Sequence, residues 1–243
     1  MEKGELLYEG KAKRVYRTAD PRYYLVEFKD DATAFDGKKR GVIEGKGFYN
    51  NQISAYLFSL LARSGVPNHF VRVLGETQML VRALKMFPLE VVVRNIAAGS
   101  ISKRLGIEEG TPLFRPVVEY YYKDDALGDP MVNESHIEAL RLVTPGQLQV
   151  MQETALRVNG ILKTHLAGRD IDLVDFKLEF GVDNGEILVG DEISPDTCRF
   201  WDRDTGEKLD KDRFRRDLGS VTEAYAEVYR RLVGNPRGFG RNP

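Results

Sequence analysis

Cysteine is almost absent from this chain, and that narrows its chemistry. Among 243 residues there is one, Cys198, so an internal disulfide and every multi-cysteine zinc framework are excluded. Histidine is nearly as scarce: His69, His136 and His165 lie far apart with no HxxxH spacing, which argues against a histidine-built metal site. Net charge is missing as well, with 36 basic residues against 37 acidic ones. Disorder needs low hydrophobicity together with a large net charge, and the second ingredient is lacking. Nor is there a global positive field to gather nucleic acid or an anionic membrane, so neither is expected as a partner. Any anion bound here must be held by local placement of Lys and Arg. No N-terminal apolar h-region and no uncharged stretch of about 18 residues is present. These absences predict a soluble, cytoplasmic, globular protein. Size scaling lets roughly 70% of the surface be buried, enough for one large domain or two modest ones.

The first part of the chain reads as short strands, Leu6–Glu9, Arg14–Thr18 and Tyr23–Lys29, interrupted by Gly10–Lys13 and Asp20-Pro21. A polar loop, Asp30–Gly47, precedes a helix over Phe48–Ser64, where Ile53, Tyr56, Leu57, Leu60 and Leu61 recur at helical spacing. Strands Phe70–Leu74 and Gln78–Leu84 end at Lys85–Pro88, where a hinge is expected. Antiparallel strands with one helix suggest a small α+β lobe. Beyond it come a strand Leu89–Asn95, a short helix from Gly99-Ser100 to Leu105, a strand Val117–Tyr122 and an acidic loop Lys123–Glu134. Val117–Tyr122 suits a core better than an interface. Thr144-Pro145 caps a helix to about Leu166, with Leu148, Met151, Ala155, Val158, Leu162 and His165 on one stripe. A hairpin follows, Leu173–Val182 with Glu186–Asp191, and a last helix over Lys211–Val233 precedes a frayed tail, Gly234–Pro243.

Charge placement in that hairpin points to chemistry. Strand alternation puts Val174, Phe176, Leu178 and Phe180 on one face and Asp175, Lys177 and Glu179 on the other. A three-residue loop at Asp183-Asn184-Gly185 would set Lys177 opposite Asp191 and add Asp191, Ile187 and Val189 to the charged face. A two-residue turn would send Asp191 to the Phe face, an expensive place for a carboxylate, so the longer loop is expected. Two carboxylates near a lysine, over a small apolar floor, can hold a divalent cation together with a nucleotide base. A half-exposed surface strand would show the same alternation. In Leu89–Arg94, Glu90 and Arg94 share a face and could simply pair; Gly99-Ser100 downstream suggests instead that Arg94 completes a phosphate pocket. Gly41–Gly47 imitates a P-loop but has three residues between its glycines instead of four, and Gly where Ser or Thr should hold Mg²⁺. It is rejected as one.

The stretches Pro88–Ser100 and Leu173–Gly181 resemble the two signatures of the phosphoribosylaminoimidazole-succinocarboxamide synthase (SAICAR synthetase) family. Tyr8–Lys13, Asp129–Glu134, Gly190–Glu192, Ser194–Asp196 and Asp210–Arg215 are similar to further motifs of that family, in order, from about residue 6 to 233; only Asp36–Gly47 reads as idiosyncratic. The resemblance implies an ATP-dependent ligase of purine biosynthesis. It would join L-aspartate to the carboxylate of carboxyaminoimidazole ribonucleotide (CAIR) through an acyl phosphate, giving SAICAR, ADP and phosphate. It also implies an α+β fold, with a kinase-like antiparallel N-terminal lobe (1–87), a larger α+β C-terminal lobe (88–243), ATP in the cleft between them, and a homodimer.

Carried over residue by residue, Lys11 and Lys13 would meet ATP phosphates and Arg82, Leu84 and Met86 would meet adenine. Glu179 and Asp191 would hold Mg²⁺. Arg94, Ser100, Asp175, Lys177, Asp196 and Arg199 would line the CAIR pocket. Lys13, Lys177 and Asp175 are the catalytic candidates, Asp175 as the candidate base for the aspartate amine. No protein nucleophile is required, in keeping with one cysteine and no Ser/His/Asp pattern. A small-molecule kinase is the enzymatic alternative, though neither H-R-D-x-x-x-x-N nor D-F-G occurs. A nucleotide sensor with a decayed site is the non-enzymatic one, opposed by intact Lys13, Glu179 and Asp191. Asp30–Gly47, with Lys38-Lys39-Arg40, is expected to be mobile, either as a lid over the reacting groups or as ordinary surface.

Overall fold

The computed structural model describes residues 3–34 and 39–234. Strands β1 (Leu6–Glu9), β2 (Lys13–Arg17) and β3 (Tyr23–Phe28) form an antiparallel meander. The segment read as a polar loop instead contains β4 (Asp31–Ala34) and β5 (Lys39–Val42), paired antiparallel. Ala32 and Ala34 turn inward and are buried, which gives this hairpin a packed face despite its polar composition. Asp36 and Lys38, on which the lid expectation also rested, lie outside the described residues. Helix α1 (Lys46–Arg63) has no acidic residue in its first turn. The Asp30 carboxylate caps it from the preceding loop, accepting from Gly45 N at 3.0 Å and Gly47 N at 2.8 Å. After α1, β6 (Phe70–Val73) and β7 (Gln78–Arg82) complete a five-stranded sheet in the order β1-β2-β3-β7-β6.

The expected stop at Pro88 is not there. Strand β8 (Lys85–Ile96) runs straight through it. Pairing with the later strand β11 shifts between Glu90↔Glu179 and Met86↔Gly181, so three residues of β8 face one of its partner. That bulge spares Pro88 from donating a ladder hydrogen bond. Helix α2 (Ser100–Leu105) and strand β9 (Pro112–Tyr122) follow; Tyr120 is buried, and Val118 and Tyr122 pack on the core, where that stretch was expected. The acidic loop holds a short strand β10 (Met131–Val132) and leads into a capped helix, α3 (Glu134–Ala139). Helix α4 (Pro145–Ala167) starts at a capping box: Thr144 Oγ1 accepts from Gln147 N at 3.2 Å and Gln147 Oε1 from Thr144 N at 2.8 Å. Its buried stripe packs under β8 and β11 (Ile171–Asp183). His165 is only half-buried and meets Tyr56 OH at 2.9 Å instead. With β12 (Glu186–Gly190) and β13 (Cys198–Asp202) the second sheet has six strands, β10-β9-β8-β11-β12 with β13 beside β11.

The last helix is broken, contrary to expectation, into α5 (Asp212–Arg215) and α6 (Val221–Val233). Asp217, Gly219 and Ser220 between them have positive φ, which no continuous helix permits. The tail beyond Gly234 lies outside the described residues. Helix α1 serves two cores, a small one with Val26, Phe28, Met79 and Val81 of the first sheet and a larger one with the second part. Ile53, Leu57, Phe58 and Leu61 of α1 cluster with Phe176, Leu178 and Phe180 of β11 and Val228 and Leu232 of α6.

The β11–β12 hairpin closes through Asn184-Gly185, with Asp183↔Glu186 as its last pair. Both turn residues have positive φ, 50° and 84°, so the turn has two residues, not three. Gly185→Ala is expected to lower unfolding stability by about 1–2 kcal/mol through left-handed strain, read in urea melts with an unchanged m-value.

Candidate active site

A cleft of about 1190 Å³ lies between the β2–β3–β7 face of the first sheet and the charged face of β11. Every site residue expected from the sequence lines it except Ser100. Ser100 reaches it indirectly, its Oγ accepting from Arg94 Nη2 at 3.0 Å.

At one end of the cleft lysines and carboxylates alternate. Lys177 Nζ lies 2.7 Å from Glu90 and 2.8 Å from Glu179, and Lys123 closes on the same Glu179 carboxylate. Glu90 therefore pairs with Lys177 and not with Arg94 along its strand. Lys13 Nζ contacts Asp191 and lies 2.9 Å from Glu192. Burial opposes the charge on Lys13, but Asp191 and Glu192 more than offset it and its pKa is raised. Lys177 is raised likewise, Glu179 and Glu90 overriding its burial. Burial alone would lift Asp191, yet Lys13, Lys177 and Lys123 together hold it far below the ordinary carboxylate range. Burial wins at Glu90, whose pKa rises despite Lys177.

The two-residue turn should have sent Asp191 to the Phe face, and the backbone prevents it. Strand β12 ends at Gly190, and Asp191 takes a left-handed conformation, φ 59°, that swings its carboxylate toward Lys13. The apolar floor also differs from expectation. Val189 belongs to the core and Ile187 packs against it, while Gly190 pairs with Glu179 and shares its face. Leu84 and Met86 close on the bare glycines. A Cβ at Gly181 would sit 2.7 Å from Leu84 Cβ, and one at Gly190 3.1 Å from Met86 Cε.

The other end is rich in arginine. Arg94, buried, donates to Glu119 and Asp175 at 2.7 Å each and to Tyr121 OH at 3.2 Å. Arg199 donates to both Asp175 oxygens at 3.1 and 2.8 Å and to Asp212 at 2.8 Å. Gly99, φ 63°, leaves room for that guanidinium; a Cβ there would lie 2.5 Å from Arg199 Nη2. Asp196 is enclosed by Lys46 at 3.1 Å, Lys211 at 3.5 Å and Tyr225 OH at 2.7 Å. Arg82 stands apart, paired with Asp183 at 2.6 Å and Glu186 at 3.3 Å beside the hairpin turn. Lys11 meets Asp125 at 2.8 Å on the rim.

Lys46, Lys123, Glu119, Glu192 and Asp212 were not singled out by sequence reasoning. Glu192 and Asp212 stood inside the quoted motifs, but nothing in their spacing marked them for this cleft. Among the described residues no group of three or more His, Cys, Asp or Glu is arranged to hold a metal alone. Glu179 and Asp191 offer two carboxylates, the donor set with which Mg²⁺ binds when phosphate oxygens and water complete its shell.

A family model for SAICAR synthetase matches residues 6–232. The phosphoribosylaminoimidazole-succinocarboxamide synthase of Coprothermobacter proteolyticus is 62% identical over 233 residues, 96% of this chain and 99% of that protein. A solved SAICAR synthetase (Type-2) in complex with ADP is 51% identical, with TM-score 0.93 over 97% of this chain and 100% of that one. The enzyme structure from Ehrlichia chaffeensis gives 44% and 0.93, over 96% and 100%.

Behind Arg199, buried Asp210 accepts from Phe200 N at 3.0 Å and Asp212 N at 2.7 Å. Burial, then the Asp212 charge, pushes its carboxyl up to about 7. A raised pKa favours the protonated folded state. Its stabilising contribution is full below the unfolded value near 4 and is lost as pH rises through about 7. Urea melts at pH 4.5 to 8 are expected to show a falling limb, of at most about 4 kcal/mol, that Asp210→Asn flattens.

Proposed function

The chain belongs to the SAICAR synthetase family, and on that premise we propose how its cleft divides the work between nucleotide and acceptor. The reaction joins L-aspartate to the carboxylate of CAIR at the expense of ATP, giving SAICAR, ADP and phosphate. One observation carries the assignment: lysines alternate with carboxylates at one end of the cleft, and two arginine forks converge on Asp175 at the other.

ATP is assigned to the lysine–carboxylate end. Lys11 and Lys13 meet its phosphates, while Leu84 and Met86, closed on Gly181 and Gly190, form the adenine floor. Arg82, tied to Asp183 and Glu186, braces that floor. Glu179 and Asp191 would hold Mg²⁺. Bound there, the ion would neutralise phosphate charge and polarise the transferring phosphoryl group. CAIR is assigned to the arginine end, with Arg94, Arg199 and Ser100 at its phosphate, Lys177 between the two ligands, and Asp196 holding Lys46 and Lys211 in place. Residues 1–87 are the ATP-binding lobe in this reading and 88–243 the substrate lobe.

A carboxylate is a poor acyl donor, so the CAIR carboxylate oxygen first attacks the γ-phosphorus and ADP leaves. The aspartate amine then attacks the acyl phosphate carbon, phosphate departs, and one amine proton is lost. Lys13 and Lys177 balance charge on the phosphoryl group. Asp175 has both oxygens engaged by guanidinium groups, so its role is to set Arg94 and Arg199 and not to take that proton. A cytoplasmic location and a homodimer complete the reading. No described helix is long and apolar enough to cross a membrane, and sedimentation at micromolar protein tests the dimer.

ATP turnover should require CAIR and L-aspartate together. A kinase would turn over without aspartate, and a sensor would bind nucleotide without turnover. Glu179→Gln and Asp191→Asn should each abolish Mg²⁺-dependent nucleotide affinity in calorimetry while leaving the fold intact; Asn tolerates the left-handed backbone at 191. Arg94→Lys keeps the charge but loses the fork that reaches Glu119, Asp175 and Ser100. CAIR binding should weaken by about 1.5–3 kcal/mol with ATP affinity unchanged, as separate titrations of the two ligands will show.

A further inference from the structure

Arg94 has to present its guanidinium in one orientation, and its place on a strand does not fix that plane. Three elements do. Asp175 of β11 takes Nη1 at 2.7 Å, Ser100 of α2 takes Nη2 at 3.0 Å, and β9 supplies two partners, Tyr121 OH to Nη2 at 3.2 Å and Glu119 to Nε at 2.7 Å. Register puts Glu119 there. It stands opposite Val92, and Val92 stands opposite Lys177, so its side chain shares the charged face of the second sheet. It is 4% exposed and does not line the cleft. Its carboxylate is divided between two arginines. Oε2 accepts from Arg94, and from Tyr121 OH at 3.0 Å, while Oε1 is closed by Arg104 in the last turn of α2. That same helix begins at Ser100. Both ends of α2 are therefore tied to Arg94, one through Ser100 and the other through Arg104 and Glu119.

We propose that Glu119 is a positioning residue for the acceptor: holding Arg94 with one oxygen and Arg104 with the other, it sets the Arg94 guanidinium and the Ser100 hydroxyl together as one phosphate grip. The inference rests on the assignment of Arg94 and Ser100 to the CAIR phosphate under the proposed function. The chemistry suits the role. Ser100 accepts from Arg94, which leaves its own hydroxyl proton for a phosphate oxygen. A carboxylate buried between two guanidinium groups adds little net stability over well-packed apolar side chains. What it adds is direction, because each arginine meets it along a defined N–H. Groups that grip a ligand need to be held within about 0.5 Å of their working positions, and Arg94 is aimed only as well as its guanidinium is held. Arg104 does not line the cleft, so its route to the acceptor runs through Glu119 and α2.

Two substitutions test it, read by titration calorimetry of the full chain with CAIR, with the CAIR riboside that lacks the phosphate, and with ATP. Glu119→Gln removes a negative charge near the site, which by charge alone should strengthen phosphate binding. Positioning predicts the opposite, a loss of about tenfold in CAIR affinity. Riboside and ATP affinities should stay within about twofold of wild type. Arg104→Gln should lose CAIR affinity in the same sense. Its ratio to wild type should be equal at about 0.1 M and about 1 M salt, since a through-space effect of the Arg104 charge would be screened out between them. The inference is overturned if Glu119→Gln binds CAIR as tightly as wild type or more tightly, if riboside or ATP affinity falls in parallel, or if the Arg104→Gln loss disappears in high salt. Should Glu119→Gln fail to fold, Arg104→Gln decides alone, its side chain being 34% exposed. A wild-type chain that binds CAIR no better than the riboside would overturn the phosphate assignment itself, and the role of Glu119 with it. A wild type that prefers CAIR, with both variants unchanged, overturns the role of Glu119 only.

Discussion

Strand β11 presents hydrocarbon to one side and charge to the other, and nearly everything else is arranged to satisfy both demands. Phe176, Leu178 and Phe180 are buried against α1 and α4 partners, which fixes the strand's register and orientation. Once those rings are committed, Asp175, Lys177 and Glu179 have no choice of direction. They project into the cleft, most of their area withdrawn from water, where an unpaired charge would be very costly. Each is therefore met by a partner from another element: Arg94 of β8, Arg199 of β13, Glu90 of β8, and Lys123 just after β9. The core sets the positions of the charges, and the charges dictate which neighbours the sheet must bring.

That dependence explains what could be read from the sequence. The alternation in Leu173–Gly181 needs only the pleat of a strand, so the two faces and their residues were legible. Helix α4 was legible because Thr144, Pro145 and Gln147 cap it locally. Helix α3, capped by Asn133 with His136 closing the box, escaped notice for want of a long apolar stripe behind it. Pro88 misled because its cost vanishes only if β8 bulges at that point, and the bulge is set by how β8 pairs with β11, not by the residues around Pro88. The same holds for α5 and α6, read as one helix because the amphipathic spacing continues while the backbone between them does not.

The site was legible to the level of residue types and faces, and the pairings were not. Lys46 reaching Asp196 across 150 positions, or Arg199 reaching Asp212 behind it, follows from tertiary packing alone. The hairpin is the instructive case. Weighing the burial of a carboxylate against the turn length led to a three-residue loop, since only that register kept Asp191 from the Phe face. The energetic premise was sound. The chain satisfies it differently, keeping the two-residue turn at Asn184-Gly185 and spending one left-handed residue at Asp191. Strain confined to one backbone position replaces a shift that would have turned every side chain of β12 to the opposite face.

The pairing of Lys13 with Asp191 also shapes how ligands enter under the proposed assignment. The ammonium that would meet phosphate neutralises the carboxylate that would meet the cation. Both are largely withdrawn from water, so neither is stripped of its partner cheaply. A nucleotide arriving alone would take Lys13 and leave Asp191 facing phosphate oxygens. A cation arriving alone would take Asp191 from that lysine and leave its ammonium to Glu192 alone. Arriving together, each supplies the partner the other removes, and the number of buried unpaired charges does not rise. Nucleotide and cation binding should therefore be positively coupled, and by linkage equally so in either direction. The arginine end has no such arrangement: Asp175 is already met by two guanidinium groups, so a ligand there need not remove its partner. One end of the cleft exchanges partners on binding while the other is preorganised, and that difference traces to Asp191 standing on a turn while Asp175 stands in the middle of a sheet.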